Sequence, residues 1–244
     1  MAKNYLTVEP DRVALLGKNF TPGRGGRTIR YITRHHTAGV LNADQINSVW
    51  QSRPASATYL IGVTGIVSQH VWDKDTPWSN ANSVSNQESI TIEHSNLAGA
   101  AQDWPISDAT IDEGARWAAA LCRYYKLGRP HFGTNIRDHR QFTSTSCPYH
   151  LAAGGRYHDR YMRVAQDFYD HLTKPAAPAP APKPTPQEDV MAADLNTRIK
   201  VADGKEYPAQ DLIKWTDERV YELTREGGRL DRIEGKIDQL LKGK

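Results

Sequence analysis

Two short stretches about a hundred residues apart carry most of the side chains able to do chemistry: Arg34-His35-His36-Thr37-Ala38-Gly39 and His139-Arg140-Gln141-Phe142-Thr143-Ser144-Thr145-Ser146-Cys147-Pro148. Imidazole nitrogen and thiolate sulfur suit zinc, a borderline-soft cation. Two His and one Cys leave a fourth position for water, as in a catalytic rather than a structural site. A structural site wants four protein ligands, commonly with paired Cys-x-x-Cys spacing, which is absent here. The chain has two cysteines, Cys122 and Cys147. Without a disulfide framework, each is a core residue, a metal ligand or a nucleophile. Each locus also has a plainer reading on its own. Adjacent strand residues point to opposite faces, so only one of His35 and His36 can enter a given cleft, and a lone Cys-Pro fits a buried thiol.

The elements that must position these groups alternate between strand and helix. Thr28–His36, rich in Ile, Tyr and Thr, reads as a strand ending in the first locus. Asn42 is available to cap a helix over Ala43–Gln51. Thr58–Val63 and Ile66–Trp72 flank Thr64-Gly65, a hairpin signal. In Ser89–Ser95, period two sends Ile90 and Ile92 to one face and Thr91, Glu93 and Ser95 to the other. A carboxylate at Glu93 is therefore either half-solvated or looks into a cleft, while His94 shares the isoleucine face and reads as a packing residue. Ile111, Ala115, Ala118, Cys122 and Tyr125 form one helical stripe, stopped by Gly128 and Pro130, so Cys122 reads as core. A second helix fits Arg156–Leu172. Such interleaving predicts an α/β fold, a sheet covered by helices. His36 fits a hydrogen-bonded core position. Trp72 and Trp78, with Asn80 nearby, read as buried aromatics rather than groove walls, and His70, His131, His150, His158 and His171 have no ligand-like spacing.

The 244 residues suffice for one well-buried domain and an appendage. Residues 174–187, KPAAPAPAPKPTPQ, hold six of the 14 prolines and predict an extended spacer between a domain at 1–173 and a segment at 188–244. Residues 188–244 hold 11 Lys and Arg against 13 Asp and Glu, net −2; the preceding residues hold 20 against 15, net +5. A net charge of +3 is far from the dense positive field of a nucleic-acid binder. No run approaches 18 apolar residues, so no membrane span is expected, and the first twenty residues lack a signal-peptide core. Residues 208–242 place Val220, Leu223, Leu230, Ile233, Ile237 and Leu240 in a broken heptad rhythm around Gly227-Gly228. This predicts short helices serving either cell-wall binding or self-association.

Together, ITRHHTAG, the Tyr59-bearing hairpin ATYLIGVTGIVSQHV, SITIEHSN and DHRQFTSTSCP resemble, in order and spacing, the zinc-dependent N-acetylmuramoyl-L-alanine amidases of type 2, a family that includes peptidoglycan-recognition proteins and phage endolysins. The resemblance covers about residues 28–172. It implies a central mixed sheet covered by helices and a Zn2+ ion held by His35, His139 and Cys147. It further implies a catalytic Glu93, a Tyr59 that positions water or the reacting carbonyl, and Thr145 as a hydrogen-bond donor to an oxyanion where some members carry lysine. The implied partner is bacterial peptidoglycan, cleaved between N-acetylmuramic acid and L-alanine. With no export signal, synthesis in a host cytoplasm and release to the wall at lysis is the expectation. A non-catalytic peptidoglycan binder on the same fold is the alternative, and a retained Cys147 favours the enzyme.

Overall fold

The computed structural model describes residues 3–174, 198–200 and 205–208. In chain order the first unit, which ends at Pro175, runs β1 (Arg12–Val13), β2 (Phe20–Thr21), β3 (Tyr31–His36), α1 (Ala43–Ser52), β4 (Tyr59–Ile61), β5 (Val67–Gln69), β6 (Thr76–Pro77), α2 (Ser83–Glu88), β7 (Ser89–His94), α3 (Asp108–Tyr124), β8 (Ile136–Asp138) and α4 (His158–Thr173). Six strands form one mixed sheet in the order β1-β5-β4-β7-β3-β8, with β4 and β5 antiparallel and the other pairs parallel. This is the helix-covered mixed sheet expected from the sequence. Strands β2 and β6 form a separate antiparallel ribbon. Neither α2 nor β8 was anticipated; both are short and lack a periodic apolar signal.

Local signals place the elements. Asn42 accepts from the backbone N–H groups of Asp44 and Gln45, and Gln45 bonds back to the Asn42 N–H, a complete capping box for α1. Ser107 caps α3 through the Thr110 N–H. Gly65 turns the β4–β5 hairpin with φ +83°, a conformation that side chains resist.

The sheet has two unlike faces. Ile32, Tyr59, Ile61, Ile90, Ile92 and Ile136 pack with Trp117 of α3 and Tyr161 of α4 in the main core. On the other face Leu60 packs with Ile46 and Trp50 of α1 and with Val71. In β3 and β7 that second face carries Thr33, His35, Thr91 and Glu93 instead of aliphatics. Truncating a fully buried residue such as Ile92 to alanine removes about 2–5 kcal/mol of stability, so the apolar face holds the sheet that displays the polar one.

Of the second unit, β9 (Arg198–Lys200) pairs antiparallel with β10 (Glu206–Pro208). The Pro/Ala stretch beyond Lys174 and the helices expected beyond Pro208 lie outside the described residues. No helix among the described residues is long and apolar enough to cross a membrane.

Candidate metal centre

His35 and Glu93 are register partners on the parallel strands β3 and β7, so both side chains leave the same face of the sheet. His139 follows β8 directly, opening a 3-10 turn over His139–Gln141. Cys147 lies on the loop beyond it, before a cis bond to Pro148. The ligand atoms of His35, His139 and Cys147 lie within 4.8 Å of one another. His35 Nδ1 stands 3.7 Å from Cys147 Sγ, and the two imidazole centroids are 4.4 Å apart.

Hydrogen bonds aim the donors. Ser89 donates its hydroxyl to the Ser85 carbonyl at 2.7 Å, so its oxygen is free to accept from the Asn80 amide at 3.1 Å. That fixes the amide orientation, and Asn80 Oδ1 then accepts from His35 Nε2 at 2.9 Å. The proton of His35 is held on Nε2 and the Nδ1 lone pair faces Cys147. On the far face His94 donates Nδ1–H to the His35 carbonyl at 2.7 Å. Its ring lies so close to Gly114 of α3 that a Cβ there would fall 2.3 Å from His94 Nε2. The His36 backbone N–H, rather than its ring, contributes, donating to Cys147 Sγ at 3.4 Å.

One residue behind the two histidines, Arg34 and Asp138 are register partners on β3 and β8, both wholly buried. Arg34 donates Nε and Nη2 to Asp138 Oδ1 at 2.9 and 2.7 Å, and Asp138 Oδ2 accepts the Ala153 N–H at 3.0 Å. The pair ties together the strand ends from which His35 and His139 emerge.

Electrostatics favour a cation here. Burial, with His139 adding, pushes His35 well below the usual histidine range, and burial lowers His139. Both rings are therefore neutral, as metal ligands must be. Burial, with Glu93 adding, raises the Cys147 thiol well above its usual range, so it ionises only against a positive partner. His139 Nε2 and Glu93 Oε2 are buried without hydrogen-bond partners. Two neutral imidazoles, a thiol and orphaned polar atoms fit a zinc ion with an open coordination position. Glu93 itself is pushed up to about 8 by burial, against a smaller opposing pull from Arg53.

These groups line one cleft of about 310 Å³, whose walls include Trp50, Arg53 and Trp78. Thr145 lies on its rim, its hydroxyl oxygen accepting the Cys147 N–H at 3.2 Å. Of the six residues singled out from the sequence, five thus meet. Tyr59 does not. It pairs with Ile92, one position out of phase with Glu93, and so faces the main core. There its ring packs edge-on against Trp117 at 5.3 Å and its hydroxyl donates to Asp73 at 2.8 Å. Buried at 1% exposure, it is a core residue and not part of the site. Trp72 and Trp78, both expected to be buried, are 44% and 39% exposed, and Trp78 lines the cleft. Asn80, Arg34 and Asp138 were not recognised from the sequence. The only signal was a charged residue directly before each of His35 and His139 in otherwise strand-like runs.

A family model described as N-acetylmuramoyl-L-alanine amidase matches residues 25–150, which include all six residues. No curated protein matches the chain. Among solved structures, the fold is similar to that of PlyL (16% identity, TM-score 0.53, covering 64% of this chain and 97% of that one). It is also similar to the PlyG catalytic domain (18%, 0.53, 68% and 98%) and to the Staphylococcus aureus hydrolase AmiA in complex with its ligand (15%, 0.52, 68% and 87%).

Proposed function

Because the chain belongs to the N-acetylmuramoyl-L-alanine amidase family, we propose that it is a zinc-dependent peptidoglycan hydrolase of the endolysin kind, cleaving the amide between N-acetylmuramic acid and L-alanine of the stem peptide. The observation that carries this reading is the convergence of His35, His139 and Cys147 in an open cleft beside Glu93. His35 through Nδ1, His139 and Cys147 through Sγ would hold the ion. Zinc supplies Lewis acidity and brings water toward deprotonation near neutral pH. Glu93 accepts the proton of the attacking water at its unpartnered carboxylate oxygen as the new C–O bond forms. It then delivers that proton to the amine nitrogen as the C–N bond breaks. The Thr145 hydroxyl, whose oxygen already accepts the Cys147 N–H, keeps its own proton for the carbonyl oxygen, on which negative charge develops. Asn80 and the Arg34–Asp138 pair keep the donors in register. The exposed face of Trp78 gives the cleft an apolar wall for a polymer that cannot be enclosed.

Residues 174–187 and 188–244 fit a spacer and a wall-targeting or self-associating segment, the arrangement that multivalent capture requires. Action on the wall would then follow release from the cell in which the chain is made. The test is metal content beside amide release. About one zinc per chain, loss of wall hydrolysis on chelation, and joint loss of zinc and activity in Cys147→Ser are the expected results. Full hydrolysis by a metal-free sample would overturn the reading.

A further inference from the structure

A second cavity, of about 670 Å³, is lined by Arg30, Tyr31, Ser85, Glu88, Arg137 and Phe142 among others. Its floor is built from aromatic rings. Tyr31 and Phe142 stack at 5.5 Å and 16°, and the Arg137 guanidinium lies 4.9 Å from the Tyr31 centroid and 5.9 Å from that of Phe142. Arg137 is the register partner of Thr33, and Tyr31 and Thr33 share the face of β3 that carries His35. Tyr31 is four residues, about 13 Å, from His35 along the strand, and Arg137 stands two residues before His139. The cavity therefore continues the same side of the sheet as the three ligand candidates, and its buried Ser85 also anchors the Asn80–His35 hydrogen-bond chain.

The charge on Arg137 is unspent. Among the described residues no carboxylate pairs with it, and its one hydrogen bond runs from Nε to the Thr134 carbonyl at 3.4 Å. The adjacent Asp138 is committed to Arg34. Glu88, the one acid on the cavity wall, is held by Arg27 at 3.0 Å and Arg30 at 3.6 Å. A guanidinium held against two aromatic rings loses little freedom when its fork meets an oxyanion. The geometry points to an anion-binding subsite at Arg137 that takes a carboxylate or phosphate group of the wall polymer flanking the bond to be cleaved. This deepens the amidase reading and rests on it for the identity of the ligand.

The test compares wild type, Arg137→Met and Arg137→Lys on four ligands. These are a soluble muramyl-peptide with free stem carboxylates, the same peptide amidated, and walls before and after removal of phosphate-bearing polymer. Equilibrium binding is measured beside KM and kcat. Wild type should bind one anionic form about tenfold more tightly than its neutral counterpart, the worth of a charge-assisted hydrogen bond. The difference should appear in KM rather than kcat and should shrink as salt rises. Methionine keeps the stem on the rings and should erase the preference; lysine keeps charge without the fork and should retain part of it. Loss of preference between the two peptides identifies carboxylate as the ligand, and loss only between the two walls identifies phosphate. A salt-independent wild-type affinity, or an Arg137→Met variant with both preferences intact, overturns the subsite. A wild type that binds with this preference but releases no amide product would overturn the amidase reading and leave the subsite standing.

Discussion

Without the metal, Glu93 enters the fold with a carboxyl group that keeps its proton, because burial moves it from the ordinary value of 4.5 to about 8. A cation held beside it would return it to the carboxylate that the base role needs. The linkage has a definite sign. Between those values the unfolded chain has released the proton and the metal-free folded chain has not, so stability falls as pH rises through that window. Glu93→Gln, which cannot ionise, should melt higher than wild type at pH 7.5 by about 1–3 kcal/mol in the metal-free protein. The gap should close near pH 4.5. In the zinc-loaded protein the same substitution should lower the rate by about 10²–10⁴-fold with zinc content unchanged, as removal of a general base does. Melting curves at two pH values beside amide release measure both effects, and a zinc-replete variant of full activity would remove Glu93 from the mechanism. Tyr59 predicts the opposite pattern. Tyr59→Phe takes a hydrogen bond from the half-buried Asp73, which also receives Tyr125 and Gln69. It should cost about 1–3 kcal/mol of stability and leave activity per folded molecule within about twofold of wild type.

At the scale of elements, the ligand geometry depends on how β3 and β8 end. Replacing Asp138 alone by Asn strands the buried Arg34 guanidinium and should destabilise the fold by about 3–5 kcal/mol. The double variant Arg34→Met, Asp138→Asn removes both charges and leaves an acceptor for the Ala153 N–H, so melting should return toward wild type. Zinc affinity, read by chelator competition, should still fall about 10–100-fold, because the salt bridge that sets the distance between the two strand ends is gone. Recovery of affinity together with stability would show that the pair serves folding alone. The sequence made the long elements plain. Alternating Ile90 and Ile92 and the apolar stripe of α3 are local patterns, and β7 and α3 form where they predict. The strand β8 was hidden because three residues cannot show a period. Tyr59 was misplaced for a related reason: its face depends on the register of β4 against β7, a non-local quantity that no stretch of sequence displays. Asn80 was equally silent, since an asparagine between turns acquires its role only when His35 is brought beside it.

At the scale of the whole molecule, the first unit holds every residue the proposed chemistry uses. A chain ended after Thr173, where α4 stops, should fold and hydrolyse soluble muramyl-peptides like the full chain. If residues 188–244 target the wall, the shortened form should need higher concentrations on intact cells. If they self-associate, sedimentation should show a larger species for the full chain alone. Equal behaviour in both assays would leave the segment without either role. The two-faced sheet has a consequence for how such a chain can change over generations. Along β3 and β7, side chains of the face that ends in His35 and Glu93 at the cleft alternate with side chains that pack against the helices, so each strand carries two interleaved texts under separate selection. A saturation library over residues 31–36 and 89–94 should sort accordingly. Substitutions at His35 or Glu93 should yield folded, inactive protein, whereas those at Ile32, Ile90 or Ile92 should yield little protein at all.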